Sequence, residues 1–398
     1  MPNNYRTLFL LKLLKSILMS FVDSFLILYF LDVSDSNILP LGIYKLVAVI
    51  TIYITIYSVR NINKSNKRVY LLRAGIVMDF IYFATLLLLK EKVVQYIYLI
   101  GFLYGLEEGL YYSVYNVIES DGIKDAERAG FMGTYTAVQS SLAIIFPLIF
   151  GSFIRSQGFL RTLLLVLVIV AARIALSFLY RDSNIPPTKE YRGEDFQRLQ
   201  KQDPRIQAVM REIFFEGMTI SEGAFSYIVT IYIAKVFSDS FSLGVFTSVF
   251  SVVSTLIAIL FARYLKEKHY LNTIRISTVM ALLTLSFMIW RTSAVSIILF
   301  KLFYTVMVAI VGLINVTSIG NLSNIPVLRE YKVEYYLATE RYLVYGRIIS
   351  NLIFIIMAYL DSDIIIVAFV IFLGLFAYSS VNLEKQVRKG GVADENRN

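Results

Sequence analysis

Cysteine is absent from this chain, and histidine occurs once, as His269. Disulfide staples and thiolate-ligated metals are therefore excluded, and one imidazole cannot build a histidine metal cluster. No glycine-rich phosphate loop, zinc-ligand spacing or nucleophile elbow is present, so no cofactor and no enzymatic chemistry of those kinds is expected. Charge is scarce as well. Asp, Glu, Lys and Arg make up 17% of the 398 residues, against roughly 25% in soluble domains. What takes their place is apolar: 57% of the residues are hydrophobic and the mean hydropathy is +0.66. A soluble domain of this length has no interior large enough to hide so much apolar surface, so the composition specifies a polytopic membrane protein.

Punctuating the apolar runs by charge and turn residues gives twelve candidate helical spans, at about 20 residues per crossing. They cover residues 7–31, 39–59, 69–89, 93–119, 130–154, 160–180, 206–236, 240–264, 270–290, 294–319, 337–360 and 364–381. The first run is too long for a cleaved signal peptide and lacks a small-residue cleavage site, so it reads as the first span. The net charge of +9 is not a nucleic-acid signature, because the basic residues fall in alternate connectors. Arg60, Lys64, Lys67 and Arg68 follow span two, Lys124 and Arg128 span four, Arg263, Lys266 and Lys268 span eight, and Lys385, Arg388 and Lys389 span twelve. The intervening loops carry Asp32, Asp35, Asp361 and Asp363 instead. By the positive-inside rule both termini and the basic loops are expected in the cytoplasm, in a plasma membrane of bacterial type.

The longest polar connector, 181–205, divides the chain into an N-terminal bundle (1–180) and a C-terminal bundle (206–384) followed by a tail (385–398). It reads as a tether. The halves are internally similar: Lys12, Ser20, Asp23 and Asn116 have counterparts 199 positions later in Arg211, Thr219, Glu222 and Asn315. Such duplication is a habit of secondary transporters.

Span four, YIYLIGFLYGLEEGLYYSVYNVIE, carries the most unusual residues, Glu107 and Glu108, in its middle. At helical spacing Gly101, Gly105, Glu108, Tyr112, Tyr115 or Asn116, and Glu119 share a stripe, which reads as the lining of a passage. In span one Lys12, Ser16, Ser20 and Asp23 stack on one face, and span seven repeats this with Arg211, Phe215, Thr219 and Glu222, beside Glu212 and Glu216. Lys12, Lys15, Arg211 and Glu212 lie near the start of their spans and are expected to reach back to the interface. Asp23 and Glu222 lie deeper. In span eleven Glu340, Arg347 and Asn351 share a face, and Arg347 is too deep to reach water easily. Glycines 101, 105 and 109 also form a small-residue series that permits close helix approach.

Two six-span halves, cytoplasmic termini and a long central loop resemble the major facilitator superfamily over essentially the whole chain. The usual signature between spans two and three is reduced here to VRNINKSNKR, and the fifth-span antiporter pattern keeps Gly133, Pro147 and Gly151 but has Leu142 and Phe146 at glycine positions. The resemblance implies an all-α fold of twelve transmembrane helices in two pseudo-symmetric bundles, with spans one, four, seven and ten around a central cavity. Those spans hold Asp23, Glu107, Glu108, Tyr112, Asn116, Glu216, Glu222 and Asn315. It also implies that spans four and eleven approach one another, making Glu108 or Glu107 the expected partner of Arg347. Arg73, Asp79, Arg173 and Arg275 fall on spans it places peripherally and are expected to be interfacial or structural.

The function expected is secondary active transport by alternating access, with a carboxylate that exchanges a cationic neighbour for a proton, or another coupling ion, during the cycle. A small amphipathic or lipophilic solute, exported by a monomer in contact only with membrane lipids, fits the tyrosine-rich spans. A lipid or glycolipid flippase of the same fold, or a non-transporting sensor or scaffold, are the alternatives.

Overall fold

The computed structural model describes residues 3–62, 67–122, 125–181, 192–220, 223–236, 239–323, 328, 330–360 and 364–395. These are helical almost throughout. They divide into two compact units, Met1–Glu190 with Phe237–Ser251, and Tyr191–Val236 with Val252–Asn398. Ten helices among the described residues are long and apolar enough to cross a bilayer.

The first unit opens with α1 (Asn3–Phe21), which passes through a π-helical turn (Val22–Leu26) into α2 (Ile27–Val33) as one long span. Then follow α3 (Leu39–Val59), α4 (Arg68–Leu89), α5 (Ile97–Gly122), α6 (Asp125–Gln157) and α7 (Phe159–Ser177). The α6–α7 corner needs Gly158, whose φ of 83° is costly for any residue with a Cβ. Aromatic rings build much of this core. Phe21 meets Phe150 edge-on at 5.2 Å, Tyr29 stacks on Phe159 at 4.0 Å, and the Tyr44 and Tyr82 hydroxyls bond at 2.8 Å beside Tyr104.

The closest helix pairing in this unit is α3 on α5, and the glycine series explains it. A Cβ on Gly105 would run into the Ala48 carbonyl oxygen, one on Gly101 into the Tyr44 carbonyl, and one on Gly109 into Thr55. Lipid tails are as apolar as leucine, so helices in a membrane associate through such backbone approach rather than by leaving water.

The second unit contains α8 (Gly193–Gln202), α9 (Pro204–Thr219), α10 (Ala224–Val236), α12 (Tyr270–Trp290), α13 (Ala294–Ser323), α14 (Lys332–Tyr359) and α15 (Ile364–Glu395). Between them α11 (Ser240–Tyr264) has its first part in unit one and the remainder in unit two. Span seven, expected as one helix, is interrupted. After α9 ends in a turn at Ile220, Gly223 folds so tightly that a Cβ there would strike the carbonyls of Gly217 and Met218. Within this unit α9 lies on α14 by the same device as α3 on α5, with Gly217 against the Leu343 carbonyl and Gly346 against the Phe214 carbonyl.

The latter part of the connector is not a bare tether. The helix α8 buries Phe196 against Tyr331 and Tyr335, and Gln200 donates to the Tyr342 hydroxyl at 2.8 Å. Asp203 then caps α9, accepting from the Arg205 backbone N–H at 2.8 Å, with Pro204 in the first turn.

Two predictions follow from this packing. Gly105→Ala should lower stability by about 1–3 kcal/mol, since the obstructing atom is backbone and cannot rotate away, whereas Gly312→Ala, with open space at its Cβ, should be neutral or slightly stabilising. Apparent Tm of the purified protein in detergent distinguishes them. Asp203→Ala should cost about 1 kcal/mol at neutral pH. Partial burial opposes ionisation of Asp203, but the Arg205 side chain and backbone bonds outweigh it and hold the carboxyl below the usual range. Its contribution is thus complete above the ordinary carboxylate pKa and is lost as the pH falls through the lowered value, so parent and variant should converge in acid.

Candidate transport site

Five ionisable side chains from four helices meet inside unit one. Lys15 of α1 points its ammonium at both Glu107 oxygens, 2.8 and 2.7 Å away, and at Glu108 Oε1, 2.6 Å away, on α5. It also approaches Asp79 Oδ1 of α4 at 3.4 Å. On the far side of Asp79, Arg173 of α7 donates Nη1 to Oδ2. None of the five is more than 4% exposed. Three carboxylates against two cations leave one negative charge in excess if all are ionised (2 − 3 = −1). Arg173 lies over the Tyr111 ring at 4.5 Å, which occupies one face of the guanidinium, while its Nε and Nη2 make no hydrogen bond. Ion pairs this deep are costly to assemble and more costly to break, because a lone buried charge has nothing to replace its water.

Lys15 is also part of a wall. A cavity of about 400 Å³ within unit one is bordered by Lys12, Lys15, Ser16, Ser20 and Asp23 along the first span, and by Tyr111, Tyr112 and Tyr115 of α5. Tyr135 and Gln139 of α6 close another side. Lys12 stands 4.2 Å from the Tyr135 ring centroid and 5.2 Å from that of Tyr115, and Ser16 bonds the Tyr135 hydroxyl at 2.9 Å. Asp23 sits in the π-helical turn and is exposed toward the space. A π turn adds one residue to the helical repeat and turns the following side chains to a new face, and such turns recur at functional sites.

Unit two has a smaller polar cluster. Glu212 of α9 is fully buried and accepts at Oε1 from Asn315 Nδ2 of α13 and from Ser380 Oγ of α15. No Lys, Arg or His pairs with it among the described residues. Next to it Glu384 accepts from Ser318 at 2.9 Å and from Arg388 at 2.7 Å.

The family model described as Major Facilitator Superfamily matches residues 64–328. The chain belongs to the major facilitator superfamily. A protein named YqgE from Bacillus subtilis (strain 168) is 25% identical over 343 residues, 83% of this chain and 77% of that one. A Geobacillus stearothermophilus protein named for its place in the sodM 3′ region is 28% identical over 139 residues, 34% of this chain and 65% of that one. Among solved structures, a bacterial homologue of the iron transporter ferroportin in an inward-facing state aligns over 94% of this chain and 98% of its own, with TM-score 0.63. A D-xylose-proton symporter aligns over 96% and 97%, with TM-score 0.67. Both are 14% identical, and the likeness is one of fold. The chain is a multi-pass membrane transporter of the all-α, twelve-helix superfamily fold, not an enzyme.

Against the superfamily frame, the expected site residues separate. Asp23 and Tyr112 line the cavity; Glu107 and Glu108 lie behind its Lys15 wall. Asn315 is buried on Glu212 rather than on a cavity. Glu216 on α9, and Glu340 and Arg347 on α14, are partly buried within unit two. Glu222 and the side chain of Asn116 lie outside the described residues.

Three expectations are corrected. The cation held by Glu107 and Glu108 is Lys15 of their own unit, where Arg347 was expected. Lys15 and Glu212 do not reach back to an interface, since both are buried and partnered inside their units. The polar stripe of span four does not line a passage throughout, because Gly101 and Gly105 are spent on α3 while the tyrosines carry the cavity wall. Asp79 and Arg173, expected to be interfacial or structural, are a buried ion pair that extends the Lys15 cluster. Arg73 is structural, donating to the Ser177 carbonyl at the end of α7 and to the Tyr180 carbonyl beyond it.

Lys15→Met leaves two adjacent carboxylates without their cation and should lower stability by about 3–5 kcal/mol. Adding Glu107→Gln to it should recover part of that loss. A coupling of more than about 1 kcal/mol in the double-mutant cycle, read by thermal unfolding in detergent, is the expected result.

Proposed function

We propose that this superfamily member is a secondary active exporter of a small amphipathic solute, coupled to the proton gradient. It works as a monomer in a bacterial plasma membrane with both termini in the cytoplasm. The observation that carries this reading is the cavity of unit one, whose wall includes the ammonium group that holds two buried glutamates. Two neighbouring carboxylates cannot both stay ionised in a dry interior without a cation, so a proton taken up from outside by Glu107 or Glu108 loosens their hold on Lys15 and lets the ammonium swing toward the cavity. A solute entering from the cytoplasm takes that space, returns Lys15 to the pair and expels the proton inward. When the solute leaves on the outer side, a carboxylate takes up a proton again, so solute out is exchanged for proton in. Tyr112, Tyr115 and Tyr135 supply ring faces with polar edges for the rest of the solute, and Lys12 and Asp23 give the space charge of both signs. Occurrence of the named relatives in Bacillus and Geobacillus supports the bacterial setting.

Proteoliposomes loaded with fluorescent amphipathic anions and zwitterions, under an imposed pH gradient, test the proposal. Glu107→Gln and Glu108→Gln should each reduce gradient-driven flux about tenfold or more, by removing a group that trades Lys15 for a proton, while solute exchange without a gradient persists. If Glu107→Gln, Glu108→Gln and Asp23→Asn all leave proton-linked flux intact, coupling through this cluster is wrong.

A further inference from the structure

The carboxyl of Glu212 is compensated in a different way from those around Lys15, and incompletely. Its Oε1 receives two donors, from Asn315 and Ser380, while its Oε2 receives none. Asn315 Oδ1 has no donor either, and the Ser379 hydroxyl faces the same carboxyl without reaching full hydrogen-bond geometry. Glu212, Ser379 and Ser380 are 0% exposed and Asn315 is 4% exposed. Each bare oxygen belongs to a side chain that already touches or faces Glu212, so the three come from α9, α13 and α15 to one place. Among the described residues no cation pairs with Glu212 itself. Glu216, one turn along α9, adds negative field, and Glu384 on α15 is already engaged by Ser318 and Arg388. Buried acceptors are almost always satisfied, and several bare ones at one point mark a place that favours a positive occupant.

We propose that Glu212 Oε2, Asn315 Oδ1 and Ser379 Oγ form a binding site for one dehydrated monovalent metal cation of the size of sodium. The donor set selects the class. All three are hard oxygens, with no sulfur or imidazole to favour a transition metal. Calcium takes six to eight oxygens, usually from several carboxylates, and magnesium keeps water in an octahedral shell; one carboxylate among tight helices provides neither. A single positive charge matches the single negative one, which leaves the helix interface neutral. A proton on Oε2 would compete for the same oxygens, with the Ser379 hydroxyl as donor, which makes sodium and acid the two arms of the test. The site goes beyond the transport reading and does not rest on it, since its occupancy is read from binding and stability and not from flux.

The test uses the purified full-length protein in detergent at neutral pH, with NaCl exchanged for choline chloride at constant ionic strength. Sodium should raise the apparent Tm saturably, by roughly 3 °C or more at high occupancy, and radioactive sodium should bind with a stoichiometry of about one. Glu212→Gln should abolish both signals, and Ser379→Ala should weaken the affinity about tenfold. Where Glu212→Gln does not fold, Ser379→Ala decides. The proposal is overturned by a Tm no different in sodium and choline, or by a sodium effect undiminished in both variants. It is equally overturned if acid alone raises the Tm, Glu212→Gln removes that rise, and sodium does nothing, which would assign the pocket a proton. Loss of sodium binding leaves the Lys15-dependent flux unaffected, and loss of that flux leaves sodium binding in place, so the two readings fail separately.

Discussion

An ammonium group placed among carboxylates out of reach of water determines much of the arrangement of the first unit. Lys15 has no low-cost alternative: pulled away from Glu107 and Glu108 it is a bare charge in a dry medium, and so are they. The helices that carry these groups, α1 and α5, are thereby registered to each other along their length, and Asp79 and Arg173 extend the same constraint to α4 and α7. Apolar packing alone cannot do this, because one leucine face slides past another at little cost. Charge supplies register, and glycine supplies proximity. The α3–α5 pair is instead brought together by backbone meeting backbone at Gly101 and Gly105, with the Lys45 ammonium of α3 over the Tyr104 ring of α5 at 5.4 Å.

The spans were legible in the sequence because hydropathy over some 20 residues reports a bilayer crossing directly. The cavity face of the first span was legible too, since Lys12, Ser16, Ser20 and Asp23 step at helical spacing and all four border the cavity. What the sequence concealed was direction around the helix axis and depth from its true start. Lys15 looks interfacial when the span is counted from Thr7, but α1 begins at Asn3, which puts it about 18 Å along the helix at 1.5 Å per residue. That is beyond the reach of a lysine stem. Glu212, eight residues into α9, is about 12 Å in and has a shorter side chain still. The signal for Lys15 was a tally of opposite charges: Glu107 and Glu108 needed a cation, and one at similar depth was available. For the partner of Glu212 no such tally existed, since neutral amides and hydroxyls satisfy half of it.

Asp23 lies in the π-helical turn of the first span, and in unit two α9 ends at Thr219 before α10 begins at Ala224. Helices that break within a membrane are tolerated where they border a polar space, because water, side chains or a ligand can then satisfy the released backbone groups. The exposure of Asp23 to the unit-one cavity is consistent with that condition.

The two units nevertheless solve the same electrostatic problem in opposite ways. Unit one sets two cations of its own against three carboxylates, so any change in their charge requires a side chain to move, and the one that can respond to a solute, Lys15, faces the cavity. Unit two surrounds Glu212 with neutral donors on one oxygen only, so a change in its charge requires nothing to move except the small ion that arrives. On the proposed readings, a movable internal cation links solute to carboxylate, whereas an open oxygen cluster links an external ion to helix packing at α9, α13 and α15. The two units thus differ in the source of positive charge for a buried carboxylate, and that source decides which event each is able to sense.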